Sequence, residues 1–151
     1  MNVTGVKESK GLQAHGIPDR TADYVWIPED GRYILRSLEC LGMDIEFWKK
    51  FENAIPAWSG DKLLDLLPDK LKIGLIEYQL IIQKRPNAYG RCTYLISYRL
   101  EMTNSGEKTT WNLITSCTDT LYEGALDVIT SLLTRYSESG EAIRKNIQEL
   151  F

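Results

Sequence analysis

Between Ile76 and Cys117 apolar residues recur at every second position, and this period constrains the chain more than any other feature. In "CTYLISYRLEM", Cys92, Tyr94, Ile96, Tyr98, Leu100 and Met102 share one side. Arg91, Thr93, Ser97, Arg99 and Glu101 share the other, with Leu95 out of pattern. Successive side chains of a strand point to opposite faces, so the spacing predicts a strand with one buried face. "IEYQLIIQK" before it alternates in the same way, placing Ile76, Tyr78, Leu80 and Ile82 inward. "TTWNLITSC" after it places Trp111, Leu113 and Cys117 inward. The clusters "RPNAYG" and "TNSGEK" read as turns. Connections this short predict a three-stranded antiparallel meander, and its aromatic face requires a cover.

The cover is expected in "TDTLYEGALDVITSLLTRY". Thr120 and Glu123 stand three apart as a capping box, the hydroxyl meeting a free amide of the first turn. Leu121, Ala125, Val128, Ile129, Leu132 and Tyr136 then form one apolar stripe at helical spacing. "EAIRKNIQELF" predicts a last short helix with Ile143, Ile147 and Leu150 on one side.

Upstream, helices are expected. In "YVWIPEDGRYILRSLECLG", Pro28 suits a first turn, and Ile34, Leu35, Leu38 and Leu41 follow at helical spacing before Gly42. "MDIEFWKKFENAI" carries Ile45, Trp48 and Phe51 on one side of a second. "AWSGDKLLDLLPDK" is bracketed most firmly. Ser59 serves as N-cap, Trp58 and Leu63 as a hydrophobic staple, and Pro68 as the stop. Each of these devices fixes a helix and none performs chemistry, so the segment reads as a brace. Residues 1–22, rich in Gly, Lys, Ser and Thr, read as a flexible arm, with 23–151 a single α+β domain. The expected fold is therefore α+β in the order α-β-β-β-α: one three-stranded antiparallel meander, roofed on one face by the long C-terminal helix and preceded by N-terminal helices.

The residues that carry chemistry are sparse. His15 is the single histidine and falls in the arm, which argues against a histidine-based triad or a multi-histidine metal site. Cys40, Cys92 and Cys117 show no C-x-x-C spacing and suggest neither zinc nor a disulfide framework. No phosphate-cradling Gly-rich loop, G-x-S-x-G or H-E-x-x-H occurs. Of the carboxylate pairs, Asp61 with Asp65 reads as a solvated helix face and Asp119 with Glu123 as capping. No catalytic residue, metal ligand or cofactor is assigned. No apolar run approaches the ~20 residues that span a bilayer, and no apolar leader opens the chain, so a cytoplasmic protein is expected.

Three functional classes stay open. The helix–strand–strand–strand–helix order matches double-stranded-RNA-binding modules, which dock a Lys-rich helix start on phosphates. Here "SCTDTLYEGALD" has no basic residue, and the net charge of −3 lacks the excess of Lys and Arg that phosphate contact requires. An enzyme or small-molecule binder is the second class, with Tyr24, Tyr33 and Arg91 as the side chains available to line a pocket. The third is a non-catalytic protein-binding module. Ile81, Leu95 and Ile114 are assigned to the nominally wet face of the sheet, with Ile81 opposite Leu95 and Glu77 opposite Arg99 about a turn centred near Ala88. That patch is either an interaction surface, for a homodimer or another protein, or is covered by the Tyr24–Phe51 segments.

The strings "YVWIPEDGRYILRSLE", "PAWSGDKLLDLLP", "ISYRLE" and "TDTLYEGALDVITSLL" together resemble small uncharacterised proteins of phages, prophages and other mobile elements of gut bacteria. The likeness covers roughly residues 24–135 and rests on caps, staples and core positions. It implies an accessory protein of such an element and carries over no site residue.

Overall fold

The computed structural model describes residues 2–86, 88–89, 92–135 and 137–150, with the backbone alone at Phe51, Glu52, Cys92 and Leu150. The expectations for Arg91 and Tyr136, and for the side chains of Phe51, Cys92 and Leu150, lie outside the described residues.

Two antiparallel sheets form where one was expected, and this corrects the single three-stranded meander. The first sheet occupies the segment read as helical. β1 (Tyr24–Glu29) and β2 (Arg32–Ser37) are a hairpin, with Trp26 opposite Leu35 and Glu29 opposite Arg32. The loop between them is Asp30-Gly31, with φ of 50° and 76°. Two consecutive left-handed residues make the turn whose twist matches paired strands, and Asp-Gly is a preferred pair for it. The helical spacing of Ile34, Leu35, Leu38 and Leu41 was misleading because it straddles two elements, β2 and the one-turn helix α2 (Leu38–Leu41). β3 (Ile55–Ala57) pairs with the other side of β1, giving the order β2-β1-β3. α3 (Ile45–Glu52), capped by Asp44 through the Phe47 amide, packs on β1 and encloses Val25 and Ile45 in a small core.

The second sheet has four strands in sequence order: β4 (Lys70–Ile73), β5 (Ile76–Pro86), β6 (Cys92–Asn104) and β7 (Glu107–Thr118). β4 was missed because four residues hold too little pattern to reveal a strand, and the turn at Gly74-Leu75 follows at once. The segment 1–22 read as a loose arm holds α1 (Val6–Ala14) and a 3-10 turn at Asp19–Thr21, and it buries Leu12 and Ile17 in the main core.

That core lies between the four-stranded sheet and three helices: α4 (Gly60–Leu66), α5 (Leu121–Thr134) and α6 (Ser137–Leu150). α5 starts where Thr120 Oγ1 accepts the Glu123 amide at 3.1 Å, and it lays Ala125, Val128, Ile129 and Leu132 over Ile96 and Tyr98. The approach is close at Gly124, where a Cβ would stand 2.8 Å from Thr118 Oγ1 and 3.0 Å from Ile96 Cδ1. Beneath α4, the Tyr98 hydroxyl donates to the Pro68 carbonyl at 2.7 Å. No helix among the described residues is long and apolar enough to cross a membrane.

Candidate functional site

A cleft of about 530 Å³ opens beside the start of α4, and Asp23, Tyr24, Ser59, Asp61, Asp65 and Tyr122 stand around it. Asp23, Ser59 and Tyr122 are occupied in holding the chain together. Asp23 accepts the Ser59 amide on Oδ1 at 2.9 Å and the Ser59 hydroxyl on Oδ2 at 2.5 Å, while Ser59 Oγ caps the Lys62 amide at 3.2 Å. Next to it Trp58, fully buried, donates its indole N–H to Thr21 Oγ1 at 2.9 Å and its amide to Thr4 Oγ1 at 3.0 Å. One carboxylate and three hydroxyls thus tie the N-terminal segment, β1 and α4 into one joint. Ser59 has no imidazole beside it to accept its proton. His15 lies exposed, and its carbonyl accepts from the Arg144 guanidinium at 3.1 Å. Tyr122 donates to the Val3 carbonyl at 3.2 Å. Burial, then the charges of Glu8 and Glu123, raise its phenol above the ordinary range, so it acts as a donor at neutral pH. Among the described residues no group of three or more His, Cys, Asp or Glu is placed to hold a metal ion. Tyr33, the other pocket candidate that is described, stands exposed on β2 away from this cleft.

The three patch residues do not share a face. β6 and β7 pair with Tyr98 opposite Ile114 but Arg99 opposite Asn112, so Leu113 is an extra residue in β7. A bulge of one residue exchanges the faces of everything beyond it. Ile114 and Ser116 therefore turn into the main core, and Cys117, expected inward, is an exposed free thiol. Ile81 and Leu95 do lie together on the outer face, as diagonal neighbours. Ile81 is opposite Ser97 and Leu95 opposite Gln83, a register two residues from the one centred on Ala88, and Arg99 accordingly faces Gln79 instead of Glu77. Both are half-buried, and Ser97 between them is fully buried. The Tyr24–Phe51 segments do not form a layer over this pair. β1 packs on its neighbouring strands and α3, and β3 on α1.

The conspicuous exposure is on the opposite face, at the far end of the sheet. A helix of 14 residues is about 21 Å long, whereas a strand of 13 residues runs to about 44 Å. α5 is anchored at the Thr118 end, so the β6–β7 hairpin projects past its cover. Trp111, opposite Leu100, is 60% exposed, Met102 is 48% exposed and Ile76 of β5 is 45% exposed. Leu75, in the adjoining turn, is 98% exposed. Their period-two placement reads as core; the warning available beforehand was the mismatch between strand and helix lengths. β7 is also the edge of the sheet, and its only charged residues are Glu107 and Lys108 at the tip.

The start of α5, where a basic residue would meet RNA phosphate, presents Asp119, Glu123 and Asp127 and no Lys or Arg. No protein-family model matches this chain, and neither a curated protein sequence nor a solved structure shows significant similarity to it.

Proposed function

We propose that the protein is a non-catalytic interaction module which binds another protein through the uncovered end of its four-stranded sheet, a second copy of the chain being the first candidate partner. The observation that carries this reading is Trp111, a tryptophan 60% exposed beside Met102 and Ile76 on the sheet face that α5 covers at Ile96 and Tyr98. Aromatic residues and Met are enriched where protein surfaces meet, and an exposed apolar cluster on a rigid strand pair is the pattern of a docking surface. The free edge of β7 supports the same reading. Beyond its tip the strand carries no charge to repel a like strand, and a two-fold arrangement brings the same surface of both copies together. The setting in this proposal is the cytoplasm, as an accessory protein of a phage or other mobile element; it rests on the resemblance over residues 24–135.

The test is the solution mass by light scattering over a wide concentration range, for the native chain and for Trp111→Ser with Met102→Ser. The native chain is expected to self-associate and the double variant to remain monomeric with an unchanged melting temperature, because neither side chain is in the core. A native chain that stays monomeric, and that recovers the same partners from host extract as the double variant, overturns the proposal.

A further inference from the structure

At the margin of the sheet opposite β7, a groove of about 490 Å³ runs along the line where α6 packs against β4. Lys145, Asn146 and Glu149 line it from the helix and Lys70, Leu71 and Lys72 from the strand. Residues lining the face of a strand alternate; here they are consecutive, so the groove follows the backbone edge of β4. The ladder shows which backbone groups that edge offers. The Leu80 amide donates to the Asp69 carbonyl at 2.8 Å, and Lys70 and Lys72 stand opposite Gln79 and Glu77. Hydrogen-bonded and non-bonded pairs alternate in an antiparallel ladder. Asp69, Leu71 and Ile73 therefore bond toward β5, and the N–H and C=O groups of Lys70 and Lys72 point outward, toward the groove.

The side chains add a charge. Three lysines, Lys70, Lys72 and Lys145, and one carboxylate residue, Glu149, line this groove, on a chain whose net charge is −3. Lys70 is 3.7 Å from Glu77 across the strand pair, whereas Lys72 and Lys145 have no carboxylate partner among the described residues. The Asn146 side chain has a buried Nδ2 donor with no acceptor among them. Past Gly74, where Glu138 and Glu141 approach the same lysines, the positive excess ends.

We propose that this groove receives an extended acidic peptide segment of a partner protein, added as a further strand beside β4. Its backbone pairs with the outward groups of Lys70 and Lys72, and a carboxylate side chain sits between Lys72 and Lys145. Strand addition at a sheet edge flanked by a helix draws affinity from main-chain hydrogen bonds and specificity from the side chains around them. The groove shares no lining residue with the Trp111 surface, so the Trp111→Ser, Met102→Ser variant leaves every groove residue in place.

The experiment is a backbone-amide NMR titration of the full chain with a hexapeptide of alternating Glu and Val. The Lys70, Lys72 and Asn146 resonances are expected to shift and the Lys70 and Lys72 amides to exchange more slowly. Lys72→Glu with Lys145→Glu is expected to weaken binding at least about tenfold. The same peptide N-methylated on alternate backbone amides is expected not to bind, a comparison made on the native protein and independent of how the variant folds. Equal binding by the Lys–Val counterpart overturns the charge assignment. Equal shifts with free glutamate or inorganic phosphate reduce the groove to a small-anion site and overturn strand addition. The absence of any shift at Lys70 and Lys72 overturns the whole proposal, whatever the light-scattering result for the Trp111 surface.

Discussion

Replacing Gly124 by Ala sets two effects of opposite sign against each other, and the structure decides between them. In an exposed helix interior, Ala is favoured over Gly by about 1 kcal/mol, because Gly loses more backbone freedom on folding. Gly124 is instead pressed against the sheet: the added Cβ stands 2.8 Å from Thr118 Oγ1 and 3.0 Å from Ile96 Cδ1. Neither neighbour yields freely. Thr118 Oγ1 donates to the Thr120 carbonyl at 2.8 Å, and Ile96 is fully buried under α5. Overpacking of this kind costs about 1–3 kcal/mol, which exceeds the propensity gain. The net expectation is a loss of about 1 kcal/mol, or roughly 2–4 °C in melting temperature for a domain of this size. Gly11 of α1 is the internal control, since a Cβ there meets nothing within 4 Å and Gly11→Ala should stabilise by about 0.4–1 kcal/mol. Thermal and urea unfolding followed by circular dichroism measure both. If Gly124→Ala stabilises as much as Gly11→Ala, α5 does not sit on β6 and β7 at this distance and the packing argument fails.

Tyr98→Phe removes the donor to the Pro68 carbonyl and leaves that buried acceptor unpaired, so urea unfolding should show a loss of about 1–2 kcal/mol; an unchanged midpoint would mean that the carbonyl finds another donor. Ser59→Ala takes away both the cap on Lys62 and a ligand of Asp23, with an expected cost of about 1–2 kcal/mol, whereas Ser59→Thr should keep most of the stability. Burial, with the nearby Asp69 charge, raises the Tyr98 phenol far above the ordinary value of about 10. Its contribution is therefore complete below about pH 10 and declines as pH rises further, because the unfolded chain ionises there and the folded one does not. Alkaline unfolding should be shallower in Tyr98→Phe than in the native chain, and identical slopes would refute the assignment.

Elements specified within a few residues were legible in the sequence. Ser59 and Thr120 cap their helices through hydroxyls three residues from the amides they meet, and the alternation of Ile96 with its neighbours marks β6 whatever lies beside it. The N-terminal hairpin was legible in part: Asp30-Gly31 is a strong hairpin signal, but the helical spacing of Ile34 to Leu41 competes with it locally. Tertiary pairing decided in favour of the hairpin, because β1 gains β2 on one side and β3 on the other and buries Val25. β4 exists only because β5 offers it a ladder.

The candidate sites belonged almost entirely to the second kind of information. Ile114 left the outer face because of one extra residue, Leu113, and a bulge is a property of two strands in register that neither strand shows alone. Trp111 and Met102 carry the same alternation as Ile96 and Tyr98, yet they end exposed because α5 is pinned at Thr118 and Gly124 and is too short to reach them. The groove beside β4 arises from two segments some seventy positions apart. Periodicity and caps act over a few residues and report which face of an element is apolar; whether that face is covered depends on the length and anchoring of a distant partner, which only the assembled chain determines.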